Sequence, residues 1–229
     1  MQLPAEKLCA QASARPQLHD YLDAIILGDC CLVMQQFPAD SIDLVLTDPP
    51  YLINYHPRDG RTIAGDTSDA WLFPAFAEAY RVLKSGGFCI SFYGWSRADS
   101  YLRAWRKAGF RPVGHLVWVK SYASGAAFLH YRHEQAYLLA KGEPERPLSP
   151  IDDVQEWEYT GNRLHPTQKP VSALLRLIRA FSLPGEVVLD PFCGSGSVLL
   201  AAKLLGRRYI GIELRKDYYD ITRERLMRD

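Results

Sequence analysis

Short apolar runs alternate with amphipathic stretches along most of the 229-residue chain. The apolar runs are rich in β-branched and aromatic residues and end at polar or turn-forming residues, which is typical of buried strands. Strands are predicted at 24–29, 42–47, 88–94, 113–120, 134–142, 185–190 and 208–214. Apolar residues at helical spacing predict helices at 71–84, 96–109, 170–183, 196–206 and 216–228, with a helical turn or two within 31–41.

The alternation of strands and helices predicts one α/β domain with a mostly parallel central sheet flanked by helices. We place this domain at 24–229, after an N-terminal arm at 1–23. Two stretches show no clear hydrophobic periodicity. The stretch 52–69 is rich in Gly, Asp and Arg and is predicted to be a long mobile loop. The stretch 143–162 carries three prolines and several acids, so we predict a surface segment.

Composition limits the classes of function. A hydrophobic content of 48% allows one large core, and a formal net charge of +1 means that nucleic-acid contacts must come from local patches. The five cysteines form no C-x-x-C pair, which argues for a reducing compartment and against disulfides or structural zinc. His130, His133 and Glu134 do not form H-E-x-x-H, and no apolar run approaches the length of a membrane span. We therefore predict a cytoplasmic protein without a metal and without a membrane segment.

A glycine-containing turn joins the strand predicted at 185–190 to the next helix, in the sequence VVLDPFCGSGSVLL. Gly194 and Gly196 allow a tight turn and a close approach of the backbone to a ligand, and the helix offers free N–H groups at its start. Glu213 ends the next strand, where an acid can accept hydrogen bonds from two ribose hydroxyls. The turn lacks the full G-x-G-x-x-G pattern and a P-loop lysine. The glycine turn and Glu213 together predict a nucleoside ligand. The alternative is an ordinary βα turn followed by a solvated Glu213.

The strand predicted at 42–47 ends in Asp48-Pro49-Pro50-Tyr51. Two consecutive prolines fix the path of the backbone, and the missing N–H of Pro50 removes a competing donor. Asp48 and the carbonyl of Pro49 can therefore form a rigid pair of acceptors for an exocyclic –NH2 group, with the ring of Tyr51 as a stacking surface. A turn with an incidental acid is the alternative, because Asp-Pro is common in turns.

Together the two motifs resemble those of the S-adenosylmethionine-dependent DNA amino-methyltransferases. Asp48–Tyr51 resembles the catalytic D-P-P-Y motif of that family, and the DPFCGSG stretch at 190–196 resembles its cofactor loop. The catalytic motif precedes the cofactor loop, as in the circularly permuted β group. Gly28-Asp29 and the HPTQKP stretch at 165–170 resemble further family motifs, so the resemblance covers about 24–226. It implies a single Rossmann-like methyltransferase domain.

The resemblance implies a role for each motif residue. The catalytic residues would be Asp48, Pro49, Pro50 and Tyr51. The cofactor-binding residues would be Asp29, Cys30, His165, Thr167, Lys169, Asp190, Phe192, Gly194, Ser195, Gly196, Glu213 and Leu214. Glu213 is expected to hold the ribose, Asp29 to lie beside the adenine of the cofactor, and Thr167 and Lys169 to contact its methionine end. S-adenosylmethionine would supply the methyl group and leave as S-adenosylhomocysteine, with no metal.

The implied partner is double-stranded DNA, from which the target base must be flipped out to be reached. The predicted DNA contacts are Arg58, Arg61, Arg132 and His133, because cations beside the site can bind phosphates. Family members that read a long sequence usually carry a large recognition insert, whereas only 143–162 is available here. Recognition must then use that stretch, the loop 52–69 or a partner subunit. By analogy with the β group, a homodimer would suit a palindromic site, and the protein would be of bacterial or phage type.

The target is predicted to be N6 of adenine. The family more often has Ser than Asp at the first position of the motif when cytosine N4 is the target, so Asp48 favours adenine. Cytosine N4 stays open, because its –NH2 chemistry is the same. A non-catalytic DNA- or cofactor-binding module of the same fold is a further alternative, against which the complete motifs argue. Methylation of RNA or of protein glutamine is another, but such relatives usually have the opposite motif order.

Overall fold

The computed structural model describes residues 17–54, 64–123, 128–147, 149–159, 164 and 168–228. The strands of these residues form one sheet, and their bounds are β1 Ala24–Leu27, β2 Ile42–Thr47, β3 Leu83–Phe92, β4 Arg111–Lys120, β5 His133–Ala140, β6 Val154–Trp157, β7 Val187–Asp190 and β8 Arg208–Glu213. The helices are α1 Cys30–Met34, α2 Leu72–Val82, α3 Ala98–Ala108, α4 Val171–Phe181, α5 Ser197–Leu204 and α6 Lys216–Arg228. Short 3-10 turns lie at Leu18–Tyr21 and Trp95–Arg97.

The strand order in the sheet is β1-β8-β7-β2-β3-β5-β4-β6. Strand β5 runs antiparallel to its neighbours β3 and β4, and the other neighbouring pairs are parallel. The predicted α/β domain with a mostly parallel sheet is therefore confirmed. The chain moves from β2 outward to β3 and from β7 outward to β8, so the strand order reverses between β2 and β7. Ligands of open α/β sheets bind at the carboxyl ends of the strands beside such a reversal.

Helices cover both faces of the sheet. One buried cluster packs against α1, α2 and α3, and the other packs against α4 and α5. Strand β2 supplies both clusters, because Val45 belongs to the first and Leu44 and Leu46 belong to the second. A parallel strand that is buried on both faces needs apolar side chains on each. This explains the nearly continuous apolar sequence of β2, whose packing on both faces fixes the point from which Asp48 leaves the sheet.

The boundary between α2 and β3 differs from the prediction. The helix was predicted at 71–84 and the next strand at 88–94, with a glycine pair between them, but α2 ends at Val82 and β3 begins at Leu83. A Cβ on Gly87 would lie 2.9 Å from Leu83 Cδ1 and 3.1 Å from the carbonyl oxygen of Asp43. This glycine therefore serves a close approach inside the sheet and not a helix end.

The stretch 143–162 contributes a strand as well as surface. Its strand β6 pairs in parallel with β4, with Val154 opposite Val117 and Trp157 opposite Lys120. The burial of β6 alternates, so that Gln155 and Trp157 are buried and their neighbours are exposed. An alternating strand at the edge of a sheet needs only one apolar face. The acidic composition of the stretch concealed this short strand.

The end of the predicted N-terminal arm packs on the domain. Leu18, Tyr21 and Leu22 lie against the cluster beside α1 and α2, and the rings of Tyr21 and Phe37 are 5.1 Å apart. Among the described residues, no helix combines the length and the apolar character that a membrane crossing requires.

Candidate active site

Four acids lie along one edge of the sheet. Asp29 follows β1, Glu213 ends β8, Asp190 ends β7 and Asp48 follows β2, and these strands are consecutive parallel neighbours. The carboxyl ends of parallel strands meet at the same edge, so the two sequence motifs come together although 142 positions separate Asp48 from Asp190 (190 minus 48). This edge includes the reversal between β2 and β7.

Both carboxylate oxygens of Asp48 have partners. The hydroxyl of Tyr51 donates to Oδ1 at 2.9 Å, and the ammonium of Lys169 donates to Oδ2 at 2.5 Å. The Lys169 side chain is 6% exposed and that of Asp48 is 19% exposed, so part of the Asp48 side chain remains accessible. The partners hold the acid in one orientation, which is the arrangement that a preorganised acceptor requires.

The backbone of the motif is held from two sides. The hydroxyl of Tyr101 in α3 donates to the carbonyl of Pro50. Gly94, after β3, packs on Tyr51, and a Cβ there would lie 2.9 Å from Tyr51 Cβ. Arg97 donates from Nε to the carbonyl of Leu52 at 3.0 Å. The Asp48–Tyr51 segment is therefore a braced element, beyond the stiffness of its two prolines.

A second ion pair extends the site and was not predicted from the sequence. Lys120 at the end of β4 pairs with Glu134 in β5, and the Tyr51 hydroxyl lies 3.4 Å from Glu134 Oε2. We call Asp48, Tyr51, Lys120, Glu134 and Lys169 the charge cluster. It combines two carboxylates, two ammonium groups and one phenol. The sequence held one sign of this pair, because Lys120 and Glu134 are charged residues in predicted strands that are otherwise largely apolar.

The pKa values in the charge cluster follow from burial and pairing. Burial raises the pKa of the Asp48 carboxyl, although Lys169 opposes the shift. Burial and the neighbouring carboxylates raise the pKa of Tyr51 well above its usual value, so its hydroxyl stays protonated and acts as a donor. Burial also works against the ionised form of Glu134, but Lys169 and Lys120 outweigh it and hold the pKa of Glu134 below its usual value.

The glycine loop, which is the 190–196 stretch after β7, adopts a conformation that needs glycine. Gly194 and Gly196 have φ values of 51° and 75°, in the left-handed region. A Cβ on Gly196 would lie 2.5 Å from Thr222 Cγ2, and the Thr222 hydroxyl donates to the carbonyl of Gly194 at 2.6 Å. Helix α6 thus packs tightly on the loop and sets its path at the start of α5.

Glu213 is joined to the glycine loop through the backbone. Its Oε2 accepts the N–H of Gly194 at 2.9 Å, and its Oε1 accepts the N–H of Arg215 at 2.8 Å. A carboxylate oxygen has two lone pairs, so each can still accept a hydroxyl group. Burial raises the pKa of Glu213, and it raises that of Asp190 to about 7. Buried acids of this kind suit a ligand that brings hydroxyl donors and a positive charge, as S-adenosylmethionine does.

Comparison with known proteins agrees with this geometry. A family model for N6/N4 methyltransferases, described as DNA methylase, matches residues 42–224. The chain belongs to the N6/N4 DNA methylase family. Within the match lie both the Asp48–Tyr51 motif and the glycine loop. Members of this family transfer a methyl group from S-adenosylmethionine to an amino group of a DNA base.

Relatives and solved structures extend the match over most of the chain. YubD of Escherichia coli (strain K12) is 54% identical over 205 residues, which are 90% of this chain and 90% of YubD. TTHA0409 of Thermus thermophilus, solved with S-adenosyl-L-methionine, has a TM-score of 0.69 and 26% identity over 89% of this chain and 94% of that chain. The cytosine-N4-specific PvuII DNA methyltransferase has a TM-score of 0.74 and 19% identity over 88% of this chain and 85% of that chain. The protein is an S-adenosylmethionine-dependent DNA methyltransferase.

The structure places the other predicted cofactor residues of this methyltransferase as follows. Asp29 caps α1, because its Oδ1 accepts the N–H groups of Cys31 and Leu32 at 2.8 and 3.2 Å. The ring of Phe192 packs against that of Trp71 at 4.9 Å. Cys30 and Ser195 are buried, and Leu214 is exposed. His165 and Thr167 lie outside the described residues.

Lys169 has a contact that the sequence did not predict. The resemblance places it at the methionine end of the cofactor, and in the structure its ammonium also binds Asp48. Its Nζ also lies 5.3 Å from the centre of the Tyr51 ring, within cation–π range. Lys169 therefore belongs to the charge cluster around the catalytic motif.

The predicted DNA-binding residues are partly described. Arg132 is exposed and donates from its guanidinium to the carbonyl of Lys120 at 3.2 and 3.3 Å. His133 is exposed at the start of β5. Because β5 is antiparallel, its start lies at the same edge as the carboxyl ends of β2 and β3. Arg58 and Arg61 lie outside the described residues.

One group of metal-ligating side chains lies at this edge. Ligand atoms of Asp29, Cys30 and Cys31 all lie within 4.8 Å of one another. Asp29 Oδ1 already accepts two backbone N–H groups of α1. Structural zinc sites generally have four ligands, and only these three side chains meet here among the described residues. The arrangement is explained by helix capping.

Proposed function

We propose that the protein methylates N6 of a flipped-out adenine in double-stranded DNA, with Asp48 as the acceptor of the amine hydrogens. The observation that carries the proposal is the placement of the Asp48 carboxylate and the Tyr51 ring beside the glycine loop, at the reversal of the strand order. The Asp at the first motif position supports adenine as the target. Cytosine N4 is the second candidate, which the name of the PvuII neighbour supports.

The chemistry requires a stronger nucleophile at the base and a nearby negative charge. The lone pair of adenine N6 is delocalised into the ring, so N6 is a weak nucleophile. Asp48 and the Pro49 carbonyl accept its two N–H groups, which favours a pyramidal nitrogen with an available lone pair. S-adenosylmethionine supplies a methyl group on a positively charged sulfur. As N6 bonds to the methyl carbon, the carbon–sulfur bond would break and S-adenosylhomocysteine would leave. Asp48 stabilises the positive charge that develops on N6 until the nitrogen loses one of its two protons.

The contacts of Asp48 suit this role. Tyr51 and Lys169 hold its two oxygens, and a carboxylate has roughly four lone-pair sites, so a third donor can bind. The 19% exposure of its side chain gives the amine access. The ring of Tyr51 provides a surface on which the flipped base stacks. The packing of Gly94 on Tyr51 keeps this ring in place.

Nucleoside analysis tests the choice of base. We expect N6-methyladenine in digested DNA from a host that lacks its own adenine methylation and expresses this chain. The Asp48→Ala variant in the same host is the matched control and should leave the DNA unmethylated. N4-methylcytosine in place of N6-methyladenine would support the second candidate, and the absence of both bases would contradict DNA amino-methylation. Sequencing the same DNA gives the recognition site.

The DNA is proposed to approach the edge that carries Arg132 and His133. An aromatic pair stands on the same edge: the rings of Trp95 and Tyr131 are stacked with centres 5.8 Å apart. Trp95 is 58% exposed and directly follows Gly94, which packs on Tyr51. Exposed rings next to cationic side chains are typical of surfaces on which bases stack. A homodimer that pairs two such edges on a palindromic site is part of the proposal, and sedimentation with and without DNA checks it.

Tryptophan fluorescence can report on this surface, because Trp95 is the exposed one of the five tryptophans. We expect duplex DNA to reduce the quenching of wild-type fluorescence by acrylamide, since bound DNA covers the Trp95 ring. The Trp95→Phe variant should lose most of this DNA-dependent change, and Trp71→Phe should keep it. If the DNA-dependent change survives in Trp95→Phe, the DNA does not cover this surface.

A further inference from the structure

We propose that Glu134 is a positioning residue that cancels the positive charge of the catalytic edge, so that the edge favours the sulfonium of S-adenosylmethionine over the neutral sulfur of the product. The proposal builds on the S-adenosylmethionine dependence of the family and is independent of which base is methylated. Glu134 acts through its charge on the site and touches neither the base nor the transferred methyl group.

The charges of the cluster support this role. Lys120 and Lys169 are almost fully buried, with side chains 5% and 6% exposed, and they bring two positive charges to the edge. Asp48 brings one negative charge, so without Glu134 the cluster would carry a net charge of +1. That charge would oppose a cationic sulfonium and the positive charge that develops on the amine. With Glu134 ionised, the cluster is neutral.

The geometry shows that Glu134 belongs to the same electrostatic unit as the catalytic motif. It pairs directly with Lys120, and the Tyr51 hydroxyl lies between Glu134 Oε2 at 3.4 Å and Asp48 Oδ1 at 2.9 Å. Lys169 and Lys120 favour the ionised form of Glu134, which keeps its negative charge at neutral pH. The Glu134 carboxylate is therefore already ionised before the cofactor binds.

The cluster and the cofactor loop are within electrostatic reach of each other. The carboxyl of Asp48 contributes to the raised pKa of Asp190, whose main cause is burial, and so does the carboxyl of Glu213. Burial limits the screening by water and salt that weakens interactions between exposed charges. Removal of the negative charge of Glu134 is therefore expected to change the affinity for the cofactor.

Four proteins test the proposal by the ratio of the affinities for S-adenosylmethionine and S-adenosylhomocysteine, measured by calorimetry without DNA. The net charge of the cluster is 0 in the wild type, +1 in Glu134→Gln, −1 in Lys120→Met and 0 in the double variant. We expect Glu134→Gln to lower the preference for the sulfonium on the order of 3- to 10-fold. The double variant should return to the wild-type ratio. The ratio of Lys120→Met should be equal to or higher than that of the wild type.

This ratio separates charge from folding. A variant that merely loosens the fold weakens both ligands alike, because they differ chiefly in the sulfonium methyl and its charge. Glu143→Gln is the matched control, since it removes an exposed carboxylate that pairs with Arg111 on the surface, and it should leave the ratio unchanged. If Glu134→Gln does not fold, the comparison of Lys120→Met with the double variant measures the same charge, because removing both partners of a buried pair is generally tolerated.

Two results would overturn the proposal. One is a wild-type ratio in folded Glu134→Gln. The other is a double variant whose ratio is as low as that of Glu134→Gln. Its cluster has the same net charge as in the wild type, so the proposal requires the wild-type ratio. Failure of adenine methylation, detected by nucleoside analysis, would leave this binding test unaffected, so the two proposals fail separately.

Discussion

Replacement of Asp48 by alanine is expected to abolish methyl transfer while S-adenosylmethionine still binds. The substitution removes the proposed acceptor of the amine hydrogens and the negative charge that stabilises the developing cation. Loss of one such electrostatic group typically lowers kcat on the order of 10²–10³-fold, and a group that also aligns the nucleophile has a larger effect. Methyl transfer from labelled cofactor to DNA measures the loss, and calorimetry with S-adenosylmethionine confirms that the glycine loop is intact.

The variant needs a control for stability. Asp48→Ala leaves the buried Lys169 ammonium without its Asp48 partner, and breaking a buried ion pair costs about 3–5 kcal/mol. In the double variant Asp48→Ala/Lys169→Met both partners are removed, so we expect most of the stability to return and the activity to stay absent. Activity close to the wild-type level in either variant would show that Asp48 does not accept the amine.

Replacement of Gly196 by alanine is expected to weaken the binding of S-adenosylmethionine by more than about tenfold and to lower the melting temperature. The residue has a φ of 75°, where a side chain costs roughly 1–2 kcal/mol. The added Cβ would also lie 2.5 Å from Thr222 Cγ2, so either helix α6 or the glycine loop must move. Calorimetry with S-adenosylmethionine and thermal unfolding measure the two effects.

Two variants separate the causes. Gly185 has a φ of 85°, and a Cβ added there would meet nothing within 4 Å, so Gly185→Ala introduces the same backbone strain without a collision. It should lower the melting temperature slightly and leave cofactor affinity unchanged. Thr222→Ser removes Cγ2 and keeps the hydroxyl that binds Gly194, so it should restore part of the affinity to Gly196→Ala. An unchanged affinity in Gly196→Ala would show that the loop does not bind the cofactor.

Much of the fold could be predicted from local patterns. The predicted strand 42–47 coincides with β2, because burial on both faces leaves a continuous apolar run that ends at a polar residue. Helix α4 was predicted within two residues at each end, because Pro170 directly precedes it and its apolar face is regular. The turn at Gly194 and Gly196 was predicted from the glycine pattern after a strand, and the structure adds that both have positive φ and that Gly196 packs on Thr222.

Other features could not be read locally. Strand β6 is short and acidic, and only its pairing with β4 makes it a strand. The start of β3 was predicted five residues too late, because only the close approach of β2 shows that Gly87 lies inside the sheet. The motif of Lys169 suggested a cofactor contact, but it gave no sign that its ammonium binds Asp48, 121 positions earlier. In each case the deciding contact comes from a neighbour that is distant in sequence.

By itself, the sequence determined the order of strands and helices apart from β6, the two motifs at strand ends and the chemistry that those residue types allow. These features depend on spacing within a few residues, which periodicity and backbone conformation report directly. Only the tertiary structure decided that β2 and β7 are neighbours, and that Lys120, Glu134 and Lys169 join Asp48 in one charge cluster. Buried ion pairs form where the strand order brings opposite charges together out of water, and no local pattern specifies that order.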